Sequence, residues 1–193
     1  MHIQTQIARK LFGCCVLAVA STLAMAQNAA PAKPAAGTLL TPAQVYGKLL
    51  NTVEQEFVPA AEAMPEDKFD FAPSPSMGEY KGVRTFAEQL KHVTEANDYY
   101  FHDPSKPMTD FRAAIEKLKS KAEIVQALKD SFVTAHAYVD AITPENAFVT
   151  TPSGMTRAAS AAQGMAHMMD HYGQMVEYLR MNGIVPPASR GAM

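Results

Sequence analysis

Thr156–Asn182 reads TRAASAAQGMAHMMDHYGQMVEYLRMN, and this stretch decides the fold. At about 100° per residue, with His167 set to zero, Met168, Met175, Leu179, Tyr172 and Val176 fall in an arc of roughly 80–180°. Asp170, Glu177 and Arg180 take the opposite side. One apolar arc and one charged face describe an amphipathic helix packed against a core. Gly183 is well placed to end it, and Pro186-Pro187 forbid its continuation.

Three further helical segments precede it. The first opens at Thr41-Pro42, an N-cap followed by proline at the first helical position. It carries Val45, Leu49, Val53 and Phe57 at helical spacing, and Pro59 is expected to kink it or end its regular part. Met64-Pro65 closes it, and residues 69–82 form a loop punctuated by Pro73, Pro75, Gly78 and Gly82. The second runs from the capping box Thr85…Glu88 to about His102, where Asp103-Pro104 stops it. A short helical piece is expected around Phe111–Leu118. The third begins at the capping box Ser120…Glu123 and carries Ile124, Leu128, Phe132, Ala135, Val139 and Ile142 until Thr143-Pro144. Strand alternation is scarce, and no repeat recurs at a fixed period. The expected fold is all-α, an antiparallel-type four-helix bundle over residues 41–190.

The start of the chain reads differently. Arg9 and Lys10 precede an apolar run, and Ala24-Met25-Ala26 matches a small-x-small cleavage site, so residues 1–26 are expected to be a cleaved signal peptide. The run from Leu11 to Ala26 is shorter than the roughly 20 residues that span a bilayer, so no stable membrane insertion is expected after cleavage. Ala/Pro-rich residues 27–40 read as a flexible linker. These features predict an exported protein, periplasmic or secreted. Without residues 1–26 the 193-residue chain keeps 167, enough for one domain. It loses both cysteines, Cys14 and Cys15, so thiolate chemistry and disulfides are excluded from the expected mature fold. Loss of Arg9 and Lys10 moves the formal charge from −2 to −4, which argues against a nucleic-acid partner.

The chemistry lies in His167 and His171. Four residues apart on a helix, they share a face with Cβ atoms about 6 Å apart. His92 has a similar setting in the second helix. With His92 at zero, Val93, Phe86, Tyr100 and Leu90 cover roughly 80–160°, while Gln89, Ala96, Tyr99 and Thr85 share its stripe. In both helices the histidine is displaced from the apolar centre, and two such edges facing each other would border a cleft. Three histidines without a fourth protein ligand describe an open metal site. Neutral imidazole suits divalent nickel or zinc, and such an ion lowers the pKa of a bound water. Gln174, on the same stripe, is placed to orient water or substrate, and Tyr99 or Tyr178 to position ligands.

Other residues read as structural. His102 is expected to be a solvated helix end, and His136 a buried, hydrogen-bonded residue. The chain has twelve methionines, but Met165, Met168, Met169 and Met175 mostly follow the apolar arc and are expected to fill core rather than bind copper. No Glu-x-x-His repeats of a di-iron bundle occur. A polar histidine cluster without metal is the competing reading of the three histidines, and a b-type haem bundle ranks last.

Thr85-Phe86-Ala87-Glu88-Gln89-Leu90-Lys91-His92, His167-Met168-Met169-Asp170-His171-Tyr172-Gly173-Gln174-Met175 and the tail Tyr178–Pro187 together resemble the DinB-like family of small bacterial helical-bundle proteins. The resemblance spans roughly residues 41–190 and implies His92, His167 and His171 as metal ligands. Many members carry arginine directly after the last histidine, where this chain has Tyr172. Relatives include thiol-dependent transferases and isomerases, so the resemblance implies a metal-dependent transferase or hydrolase acting on a small-molecule substrate, and a homodimer. Export argues against a cytosolic thiol cofactor. A non-catalytic metal-binding or stress-related envelope protein is the alternative.

Overall fold

The capping boxes set the helices. In the computed structural model, which describes residues 33–107 and 110–191, Thr85 Oγ1 accepts from Glu88 N at 3.2 Å and Glu88 Oε2 accepts from Thr85 N at 2.7 Å. Ser120 and Glu123 repeat the exchange at 3.2 and 3.0 Å. Thr41 does so with Gln44, a third box where the sequence promised only a cap. Each box satisfies N–H groups that a helix leaves unpaired at its start.

Five helices follow from these starts: α1 (Pro42–Ala63), α2 (Phe86–Tyr100), α3 (Arg112–Glu116), α4 (Lys121–Asp140) and α5 (Arg157–Met181). The short α3 is the helical piece expected around Phe111–Leu118. There is no named strand among the described residues, only an isolated bridge between Thr150 and Thr156. The four long helices form the expected all-α bundle. Each of α1 and α2 packs against both α4 and α5, which leaves α1/α2 and α4/α5 as the diagonals.

The proposed signal residues 1–26, with both cysteines, and residues 27–32 of the proposed linker lie outside the described residues. The chain divides at Leu39/Leu40, and the bundle belongs to Leu40–Met193.

The core is filled from all four long helices: Leu50, Phe57, Leu90, Phe132, Met168 and Leu179 are fully buried. Two expectations for α1 are corrected. Val45 and Leu49 are 41% and 51% exposed, and Leu50 takes the buried place. An i,i+4 row drifts about 40° per step, so Val45 and Leu49 rotate off the face that Val53 and Phe57 share. Pro59 does not end the helix, which runs on to Ala63. The terminus is set, as expected, at Met64, extended ahead of Pro65. There Lys121 Nζ donates to the carbonyls of Glu62 (2.8 Å) and Met64 (2.7 Å), two acceptors near the helix end.

Candidate metal centre

Two hydrogen bonds fix α2 to α5 at either end of the site. Ser160 Oγ donates to the Tyr100 carbonyl at 2.6 Å, at the last residue of α2. Tyr178 Oη donates to the Arg84 carbonyl at 3.0 Å, just before its first turn. Near the Tyr100 end, Gly164 lets the helices close in. A Cβ there would lie 2.7 Å from the Phe101 ring and 2.9 Å from Tyr100 Cβ.

Between these clasps the three predicted histidines meet. His167 Nε2 lies 3.1 Å from His92 Nε2 and 3.2 Å from His171 Nε2. A ligand nitrogen from each of the three lies within 4.8 Å of the others. His171 is buried, and His92 and His167 are half-buried. Burial lowers the pKa of His92 to about 4, with Arg84, His167 and Arg112 adding to the effect. Burial lowers His171 to about 4 as well, assisted by His167 and His92 against the opposing pull of Asp170. His167 is also lowered, first by burial, against Asp170. All three are therefore neutral imidazoles at neutral pH, the form that ligates metal.

Gln89, 2% exposed, sets the tautomer of His171. Its Oε1 accepts from His171 Nδ1 at 2.5 Å while its Nε2 donates to Gln174 Oε1 at 2.8 Å. Gln174 Nε2 in turn donates to Asp170 Oδ2 at 3.3 Å. With its proton on Nδ1, neutral His171 points a lone pair from Nε2 at its neighbours. His167 Nε2 takes part in both short contacts and carries at most one proton, so at most one of them is a linear hydrogen bond. Lone pairs gathered this way call for an electropositive centre. Metal–imidazole bonds of about 2.0–2.1 Å at octahedral or tetrahedral angles separate neighbouring nitrogens by about 2.8–3.4 Å. The observed 3.1 and 3.2 Å fit that spacing.

A cavity of about 1070 Å³ opens beside His92, with Arg84, Gln89, Glu95, Arg112 and Gln174 in its wall. Gln174 thus sits where substrate orientation was expected, but its amide oxygen is already engaged by Gln89. Of the tyrosines, Tyr178 anchors the loop before α2, and Tyr99 is 53% exposed with its ring against Tyr100. Tyr172, directly after His171, has its ring 6.2 Å from Phe57, on the α1 side. His136 is half-buried and bonded to Glu54 Oε2 at 2.7 Å, and His102 bonds the Lys106 carbonyl at 2.8 Å. Neither joins the cluster. Met165, Met168 and Met175 are buried in the core. In the sequence Gln89 shares the stripe of His92, three residues before it, and nothing local to the helix reveals its task. Its task depends on how α2 and α5 are turned toward each other.

The model of the DinB superfamily matches residues 49–175, a span that contains all three histidines. The chain belongs to the DinB superfamily. DinB-like proteins bind divalent metals, in keeping with the donor set and its spacing. Comparison with the curated proteins finds no match.

Proposed function

We propose that this DinB-superfamily protein holds nickel or zinc on His92, His167 and His171 and acts as a transferase or hydrolase on a small-molecule substrate. The observation that carries the reading is the convergence of three neutral imidazoles, two of their contacts at 3.1 and 3.2 Å, beside a cavity large enough for a substrate. When bound, the ion supplies Lewis acidity, which polarises a substrate oxygen or makes water a stronger acid.

The chain's own residues do the rest. Gln89 holds the proton of His171 on Nδ1 and keeps Nε2 free as a donor of electrons. Gln174 holds the Gln89 amide in that orientation. Glu88 is committed to the cap of α2. Glu95 lines the cavity with a pKa raised chiefly by burial, which suits it to take a proton from a bound substrate. We place the protein outside the cytoplasm, on the signal pattern of residues 1–26.

Elemental analysis of the purified chain, beside a His92→Ala, His167→Ala, His171→Ala variant, tests the centre. About one nickel or zinc per chain, lost in the variant, is expected for an open three-histidine site. Equal, near-zero metal in both after incubation with each ion would overturn it. Turnover of activated esters or thiol adducts by the loaded chain then separates hydrolase from transferase.

A further inference from the structure

Arg84 stands immediately before the α2 cap and forms part of the cavity wall beside His92. Its carbonyl is held by Tyr178, so its backbone is fixed to α5. Several other charges around the cavity are already engaged. Lys91 Nζ donates to the carbonyls of Glu116 (3.2 Å) and Leu118 (2.5 Å). Glu88 closes the α2 capping box, and Arg112 Nε lies 3.8 Å from Glu95 Oε2. Lys119 lines the same cavity together with Glu116, and its ammonium makes no ion pair among the described residues. The Arg84 guanidinium, on the stretch that Tyr178 anchors, likewise makes no ion pair and no hydrogen bond among the described residues.

Arg84 and His92 line the same cavity. An exposed cation on the cavity wall that His92 shares, with no carboxylate of its own among the described residues, stabilises nothing identified within the fold. What a guanidinium offers there is a planar fork of donors matched to an oxyanion. Glu88, Glu95 and Glu116 on the same wall disfavour a dianion, so the ligand that fits is singly charged and planar.

We propose that Arg84 binds the carboxylate of the substrate whose reacting group meets the three-histidine centre. The assignment rests on the function proposed above.

The test uses propionate and its neutral analogue propionamide as probes. Each is titrated into the full chain, metal-free and zinc-loaded, and followed by NMR at the Arg84 side-chain Nε–H. Propionate is expected to move that resonance in both forms and propionamide in neither. Arg84→Gln is expected to weaken propionate binding about tenfold or more, with Arg84→Lys intermediate, because a lost charge-assisted pair is worth at least a factor of ten. An unmoved Arg84 resonance, or equal propionate affinity in Arg84→Gln, would overturn the proposal. Propionate binding that survives Arg84→Gln but needs zinc would place the anion on the ion and overturn it too. Zinc content is read on the same samples. Loss of zinc binding with the Arg84 shift intact would remove the metal reading and leave the carboxylate site standing.

Discussion

At the residue scale the sharpest consequence concerns Gln89. Its side chain is buried between His171 and Gln174 and has no exposed task. Gln89→Leu keeps most of the volume and removes the acceptor that fixes the His171 tautomer. Zinc affinity in a chelator competition is expected to fall about 10–100-fold, with helix content by circular dichroism unchanged. Unchanged affinity would mean that the Nδ1 partner is dispensable. The histidines themselves set a second expectation. The folded pKa of His92 and of His171 is about 4, below the ordinary 6.5. Between those values the unfolded chain holds more protons than the folded one, so stability present above pH 6.5 is lost as pH falls toward 4. Each histidine adds a slope of up to about 1.4 kcal/mol per pH unit in that window. Urea unfolding of the metal-free chain at several pH values measures it, and the slope should shrink in His171→Ala. The pair His167/His171 was legible because four-residue spacing needs only one helix. Gln89 was not, because its partner sits 82 residues away on another helix.

At the scale of elements, the helix starts were the most legible feature. Capping uses residues three apart in sequence, so Thr85/Glu88 and Ser120/Glu123 announce themselves without tertiary information. Thr85→Ala opens the α2 box and is expected to cost about 1 kcal/mol in thermal or urea unfolding. Helix faces were less legible. The row Val45–Leu49–Val53–Phe57 belongs to α1 but drifts off its buried side, and only contact with α4 and α5 defines that side. Gly164 shows the same dependence. In an isolated helix Gly→Ala gains up to about 1 kcal/mol. Here the added Cβ meets the Phe101 ring and Tyr100 Cβ at under 3 Å. Gly164→Ala is therefore expected to destabilise the bundle by about 1–3 kcal/mol by overpacking. The Tyr100 ring lies 5.7 Å from that of His167, so metal affinity should fall with stability in this variant. A more stable Gly164→Ala protein would show that α2 and α5 are not clasped at this point.

At the scale of the molecule, the bundle was legible as a class, while the order of helices around it was not, since amphipathic faces do not name their partners. That order is what gives the histidines their meaning. His92 and His167 are separated by 75 residues in the chain, and their Nε2 atoms lie 3.1 Å apart only because α2 packs beside α5. An ion held there links two helices far apart in sequence, and it binds the folded chain in preference to the unfolded one, where no such triad is assembled. Folding and metal binding are then linked by mass action. With free zinc at 100 times its dissociation constant, the folded chain gains about 2.7 kcal/mol. For a domain of this size that gain raises the midpoint of thermal unfolding by about 5–10 °C. The rise should depend on zinc concentration, vanish with chelator and be absent from the His92→Ala, His167→Ala, His171→Ala variant. The same scans in Arg84→Gln should keep the full zinc-induced rise, because Arg84 is assigned to the substrate and not to the ion. A rise of equal size in the triple-alanine variant would put the zinc elsewhere on the chain and detach the cavity beside His92 from metal chemistry.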